Sequence, residues 1–447
     1  MSHSRATPHA RVTSPAGPGD TTVYVFAILS LAVLWAATLL RRRRPAPQRP
    51  TGGERATAGP APSAAVVIPP RTTAAVIAAH NEEAVIGATL ASVLRVFAPA
   101  DVFIFCDGCT DRTVSIARSF LPAGNVIDHE QNIGKSRALE HTLRTRVYPA
   151  GYVYVSILDA DTTLDERFLV NTLKVLRRKT VACAVGQVKS RWYPTNVISV
   201  YRTFIYALWQ MVFKRLQSLL NAITIASGCA STWKVRVLRQ LEFDHRLSTE
   251  DFDLTIQVHR KRLGAIKYAS SAVVWTQDPF TVTSYRRQIY RWNRAWWESV
   301  RKHRVGLQWL HLRRDRSFGI SALDVSTFLL LVDILRYSLA LLILPLLLIR
   351  PVDLHLGLIT ATTREAVLFA LAWQYGSTIA LSVIVAALTR RPRIALYSPL
   401  FLFFAYLETF VSVQTLASTT RRLYRRTPPV VGVEASIWLS PERRKVA

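Results

Sequence analysis

Between residues 72 and about 176 the apolar positions switch repeatedly between two periods. Short runs at 74–79, 102–105, 126–128 and 152–158 read as strands, and helical spacing follows them at 83–97, 113–120, 135–146 and from about Glu166. A strand and a helix recurring at this interval indicate right-handed βαβ crossovers, so the pattern predicts an α/β domain with a mostly parallel sheet. Such a sheet carries its binding site at the carboxyl ends of its strands.

Beyond Val188 the pattern changes. Val197, Tyr201, Phe204, Ile205, Leu208, Val212, Leu216 and Leu219 recur at helical spacing, which assigns Arg202, Lys214 and Arg215 to the polar surface. This amphipathic helix suits either the core or a membrane interface. Residues 22–40 carry no charge and, as a helix, would extend roughly 29 Å, enough to cross a bilayer core. Arginines fill 41–44 immediately afterwards. A basic cluster after the apolar run, with no small-residue cleavage site, favours an uncleaved anchor with a cytosolic basic flank over a signal peptide.

Three further apolar segments, at 326–349, 365–388 and 394–417, are each long enough to span. With the α/β domain cytosolic, three crossings would leave the arginines of 421–426 outside. That conflicts with the positive-inside rule, so one segment is expected to be re-entrant or interfacial. The expected organisation is a disordered stretch (1–21), a membrane helix (22–40), a Pro/Arg-rich tether (41–71), the α/β domain with interfacial helices (72–305), about three spans (326–417) and a basic tail (418–447). Charges inside apolar helices are costly, so Asp333 and Arg336 are expected at the cytosolic interface and Glu408 along a path for a polar product.

Composition sharpens this picture. With 57 Lys plus Arg against 29 Asp plus Glu, the net charge is +28, and half of the residues are hydrophobic, which excludes a disordered chain. The excess charge could serve nucleic acid, but basic runs flanking apolar segments also orient membrane proteins, and no nucleic-acid partner is expected. Four cysteines are too few for a disulfide scaffold. Cys106 and Cys109 form a C-x-x-C, but Cys183 and Cys229 supply no second ligand pair, so neither zinc nor redox chemistry is expected.

The candidate chemistry lies at the predicted strand ends. The first ends in His80-Asn81-Glu82, and the second in Cys106-Asp107-Gly108, followed by Thr110 and Asp111. These loops could hold a nucleoside or could simply cap helices. Asn132-Ile133-Gly134-Lys135 opens a helix without the P-loop spacing, which disfavours an ATPase. The fourth strand terminates in Asp159-Ala160-Asp161, where two carboxylates could converge on a hard divalent cation, Mg²⁺ or Mn²⁺. Thr249-Glu250-Asp251 starts another helical pattern, either as a cap or as a reactive group. Gln288, Arg291 and Trp292 would share one helix face, suited to a ligand or to a membrane interface.

In this order the motifs, with Ser227-Gly228, resemble those of membrane-integrated inverting glycosyltransferases of the GT-A fold. The processive synthases of poly-N-acetylglucosamine, hyaluronan, chitin and cellulose are the most similar. The resemblance covers about residues 74–299 and implies a Rossmann-like cytosolic domain with transmembrane helices at both ends, in the cell membrane. It implies that the loop of His80, Asn81 and Glu82, with Asp107, holds uridine, and that Asp159 and Lys135 contact the nucleotide. It further implies that Asp161, with Asp159, holds the metal, and that Asp251 is the general base. Thr249, Glu250, Gln288, Arg291 and Trp292 would line the diphosphate and the acceptor sugar.

Two departures stand out: Cys106-Asp107 replaces the usual acid pair, and Ala295-Trp296 stands where glycine commonly follows the Arg-Trp motif. The implied reaction transfers a sugar from a UDP-sugar, UDP-N-acetylglucosamine or UDP-glucose, to a growing β-linked polysaccharide. One alternative is a single transfer to a lipid, as in ceramide glucosyltransferase. An alternative of another class is a non-enzymatic basic membrane or nucleic-acid-binding protein. The sequence fixes neither the linkage nor any accessory export subunit.

Overall fold

The computed structural model describes residues 72–303, 353–356 and 359–424. The expected N-terminal stretch, first membrane helix, tether and 326–349 segment, with Asp333 and Arg336, lie outside the described residues. The chain divides into two compact units, one of residues 58–340 and 375–447, the other of 1–57 and 341–374.

The larger unit opens as the sequence predicts. Its first half runs β1 (Thr73–Ala79), α1 (Ile86–Val93), β2 (Val102–Asp107), α2 (Thr113–Phe120), β3 (Val126–His129), α3 (Lys135–Thr142) and β4 (Tyr154–Asp159). All the pairings among these four strands are parallel. Ala75, Ile77 and Ala79 of β1 pack into one core, while Ala74 and Val76 enter the core on the opposite face. Alternation along the strand therefore buries both sides, as helices on both faces require.

The second half adds two reversed strands to the mostly parallel sheet that the sequence predicts. It comprises β5 (Thr163–Leu164), α4 (Phe168–Leu176), β6 (Val181–Ser190), α5 (Val197–Leu208), α6 (Lys214–Leu219), β7 (Ser231–Lys234), α7 (Glu250–Arg260), β8 (Ala265–Thr276) and α8 (Val282–His303). The eight-stranded sheet is mixed, in the order β3-β2-β1-β4-β7-β6-β8-β5. β7 runs antiparallel to both β4 and β6, and β5 runs antiparallel to β8. Periodicity cannot report this reversal, because β7 is only four residues long.

The reversal has a geometric consequence. Since β7 runs backwards, the Ser227-Gly228 loop before it lies at the same edge as the ends of β1, β2 and β4. β6 and β8 run with β4 and end at that edge too, at Ser190 and Thr276.

α5 continues through a π-helical turn, Trp209–Phe213, into α6. Arg202 and Lys214 are not on its surface as periodicity suggests: they are 4% and 5% exposed. Trp209, Phe213 and Leu219 are exposed instead.

Toward the C-terminus come α9 (Thr363–Thr389), α10 (Arg393–Tyr397) and α11 (Phe401–Tyr424). Two stretches here, Leu371–Thr389 and Arg393–Thr419, are long and apolar enough to cross a membrane. In the larger unit, Phe401, Phe404 and Val411 form a buried cluster with Tyr201 and Phe204 of α5 and with Tyr285 and Ile289 of α8. Glu408, expected along a product path, accepts a hydrogen bond from the Tyr285 hydroxyl. In the smaller unit, Asp353–Leu356 and Ile359–Thr362 form an antiparallel hairpin. Its Thr362 and Glu365 cap the start of α9 reciprocally, Thr362 N donating at 3.0 Å and Glu365 N at 3.2 Å.

Candidate active site

The loops after β1 and β2 are stitched together through backbone groups. Asn81, at φ 51°, accepts from Thr110 N at 2.8 Å, and Glu82 N donates to Thr113 Oγ1 at 2.8 Å. His80 Nδ1 lies 2.6 Å from the Asp107 carbonyl. The Asp107 carboxylate is 2% exposed and spends one oxygen on Ile133 N at 2.7 Å and the other on Gly134 N at 2.8 Å. Burial pushes its carboxyl up, against the pull of those two N–H groups. Gly134 sits at φ 88°, a conformation that L side chains rarely adopt, and delivers the chain into α3 with Lys135 first.

Lys135 is the centre on which three separated segments meet. Its Nζ lies 2.5 Å from Asp159, at the end of β4, and 3.4 Å from Glu250, at the start of α7. Burial works against its charge, but Asp159, Glu250 and Asp251 together hold its pKa above the ordinary range. Burial pushes the Glu250 carboxyl up, with Lys135 opposing and Asp251 reinforcing the shift. Gly228 closes this cluster: a Cβ there would stand 2.9 Å from Lys135 Nζ and 3.3 Å from Glu250 Oε1. Its N–H points to Asp251 Oδ2 at 3.4 Å.

Asp161, in the turn after β4, is 6% exposed and accepts from Thr276 Oγ1 at 3.3 Å. Among the described residues no group of three or more His, Cys, Asp or Glu side chains could hold a metal unaided. Asp159 and Asp161 remain a two-carboxylate, hard-oxygen pair of the kind that suits Mg²⁺ or Mn²⁺ when a ligand's phosphate oxygens complete the shell.

The cap alternative holds in part, since Glu250, Asp251 and Asp253 occupy the first turn of α7, where the helix dipole favours them. Although Thr249 stands at the N-cap of α7, its side chain makes no capping bond, and its buried Oγ1 has no hydrogen-bond partner among the described atoms. Gln288 Oε1 on α8 is in the same condition. Arg291 and Trp292 follow at the predicted spacing, and the half-buried Trp292 ring lies on the Arg202 guanidinium at 4.8 Å. Tyr285, Ile289 and Ala295, at i,i+3 spacing from Gln288 or Trp292, are buried on the same side of α8.

Sequence reasoning missed three further cations. Arg202 pairs with Asp278 at 3.2 Å. Lys214 donates to Ser227 Oγ at 3.0 Å, and burial lowers its pKa to about 8. Arg191, just past β6, donates to Thr163 Oγ1 at 3.2 Å while its buried Nη1 has no partner among the described atoms. The amphipathic spacing itself masked the first two, because a polar residue on a helix face reads as solvated unless its partner from another element is known.

Comparison with known proteins bears on this arrangement. Poly-β-1,6-N-acetyl-D-glucosamine synthase of Staphylococcus epidermidis is 28% identical over 243 residues, covering 51% of this chain and 57% of that protein. The synthase of the same name from Staphylococcus aureus strain COL is 26% identical over 220 residues, covering 48% and 52%. The chain thus matches little more than half the length of these relatives. A mannosyltransferase from Pyrobaculum calidifontis, solved with GDP-Man and Mn²⁺, shares 18% identity at a TM-score of 0.48, covering 88% of this chain and 97% of that one. The family model described as glycosyltransferase-like family 2 matches residues 69–295, a little over half of the chain. A match of that extent shows the family: this chain belongs to glycosyltransferase-like family 2, and its mixed eight-stranded sheet is the GT-A form of the fold.

Proposed function

We propose that this protein is an inverting glycosyltransferase that moves a sugar from a UDP-sugar onto a growing β-linked polysaccharide. UDP-N-acetylglucosamine is the favoured donor, because the relatives named above are poly-N-acetylglucosamine synthases. The observation that carries the reading is the meeting of Asp159, Glu250 and Asp251 around one lysine at the strand ends, with Gly228 leaving room beside them.

In this reading Asp251 is the general base. It takes the proton from the acceptor hydroxyl as that oxygen bonds to the anomeric carbon, and the bond from that carbon to the diphosphate breaks on the opposite face. UDP leaves with the bonding pair. Lys135 and Arg291 face the diphosphate charge, and Thr249 and Gln288 supply buried polar atoms without a partner among the described atoms. Asp161, with Asp159, would hold Mg²⁺ or Mn²⁺, which when bound offsets the charge of the leaving diphosphate. The loop of His80, Asn81 and Glu82, with Asp107, holds the uridine, and Trp292 stacks on the acceptor's terminal sugar. The apolar helices seat the enzyme in the cell membrane, with the catalytic domain on the cytosolic side.

The test is direct. Membranes containing the full chain are incubated with labelled UDP-N-acetylglucosamine, UDP-glucose and GDP-mannose, with and without Mn²⁺, and the product is sized. A metal-dependent polymer from a UDP-sugar is expected. A labelled lipid carrying one sugar would reassign the acceptor, and no incorporation from any UDP-sugar would overturn the reading.

A further inference from the structure

The Trp292 indole rests on a cation. Arg202, reaching across from α5, places its guanidinium carbon 4.8 Å from the centre of the Trp292 ring. That guanidinium is fixed on several sides. Its Nε donates to Asp278 Oδ1 at 3.2 Å, and Ser190 at the end of β6 donates to the other Asp278 oxygen. A terminal nitrogen donates to the Tyr206 hydroxyl at 2.5 Å, and the Tyr206 and Tyr285 rings lie 4.5 and 5.7 Å from the guanidinium carbon. Arg202 and Asp278 are each 4% exposed.

Stability alone is a poor reason to keep such a pair. Desolvating two charges offsets much of their attraction, and well-packed apolar side chains of similar volume often serve as well or better. What the pair does provide is orientation. Because both Nε and a terminal nitrogen are bonded, the planar guanidinium cannot rotate, and it presents a fixed flat surface to the indole. The support is anchored at three places: the end of β6 through Ser190, the residue two past β8 through Asp278, and α11 through the Tyr285–Glu408 hydrogen bond.

We propose that Arg202, held by Asp278, is a positioning residue for acceptor retention: it supports one face of Trp292 and fixes the tilt at which the other face meets a sugar. This rests on the reading of Trp292 as the acceptor platform. Losing the support loosens a single aromatic contact, so acceptor affinity should fall by about fivefold. Donor binding at the Lys135 cluster should hardly change.

The experiment uses the full chain in membranes, with UDP-N-acetylglucosamine as donor and N-acetylglucosamine oligomers as acceptor. Arg202→Met and Asp278→Asn should each raise the acceptor KM about fivefold and shorten the product, leaving the donor KM and acceptor-free donor hydrolysis within about twofold. Arg202→Lys keeps the buried charge but not the planar fork. It should fold and still show part of the KM defect, so the proposal stays testable if the methionine variant is lost. The decisive measurement is the double variant: combined with Trp292→Ala, Arg202→Met should add nothing to the acceptor KM. Additive effects, or an equal loss of donor hydrolysis, would overturn the positioning role. If Trp292→Ala alone leaves the acceptor KM unchanged, the proposal falls with the platform reading, while continued turnover of the UDP-sugar would keep glycosyl transfer standing.

Discussion

The two halves of the sheet treat their polar groups differently. After β1 and β2, the side chains are consumed by the protein itself: Asn81 takes Thr110 N, Asp111 takes Glu83 N and Thr113 N, and Asp107 takes Ile133 N and Gly134 N. Around β6, α7 and α8, beside paired groups such as Ser190 and Asp278, three polar atoms, Thr249 Oγ1, Gln288 Oε1 and Arg191 Nη1, are buried and unpartnered among the described atoms. An unmade buried hydrogen bond costs about 1–3 kcal/mol, so the second half carries an expense that a ligand could remove. The contrast teaches that the proposed nucleotide side is a prebuilt frame, whereas the proposed transfer side is completed by what binds there.

The strongest way to break this contrast is at the proposed base. Asp251→Asn should cut transfer by roughly 10²–10⁴-fold while leaving UDP binding intact, because the amide keeps the shape but cannot accept a proton. Sugar transfer near the wild-type rate would reduce Asp251 to the α7 terminus. Asp161→Ala comes next. A lost metal ligand should weaken Mn²⁺-dependent UDP binding by about 100-fold or more, read by titrating UDP at fixed Mn²⁺, with little change in thermal stability. Unaltered metal dependence would sink the assignment.

The third pair of variants sharpens the contrast itself. Asp107→Ala strands two buried backbone N–H groups and should lower stability by roughly 2–4 kcal/mol. Thr249→Val removes a hydroxyl that has no partner among the described atoms, so it should leave the melting temperature unchanged or raised while slowing transfer. Equal destabilisation by both would erase the distinction between frame and ligand-completed side.

A further effect, spread over more than two pH units, concerns Lys214. Burial holds its pKa at about 8 in the folded chain against 10.5 ordinarily, with Cys229, Asp251 and Cys183 opposing the shift. Between those values the unfolded chain binds more protons, so this group makes stability rise with pH from about 8 to about 10.5. At about 1.4 kcal/mol per pH unit the contribution over that interval is about 3 kcal/mol, and Lys214→Met should abolish it while stabilising the protein near neutral pH. Melting curves of the two proteins that stay parallel across that range would refute the burial argument.

The parallel frame was legible from the residues because its rules are local. Strand runs, crossover spacing and helix starts placed β1 to β4 within a few residues, and strand ends at one edge follow from parallel pairing. The acidic motifs at those ends were legible for the same reason. The sequence by itself therefore determined the α/β character of residues 72–176, the position of Asp107, Asp159 and Asp161 at strand ends, and the alignment of Gln288, Arg291 and Trp292 on one helix.

Tertiary structure decided the rest. A four-residue strand such as β7 has too little periodicity to show its direction, yet its reversal brings Ser227-Gly228 to Asp251. Arg202 and Lys214 lie on an amphipathic helix whose spacing assigns them to solvent, yet Asp278, 76 positions away, and Ser227 draw them inward. The physical reason is the same in each case. Local pattern reports which faces can be buried, while the free energy of a buried charge depends on partners supplied by other elements.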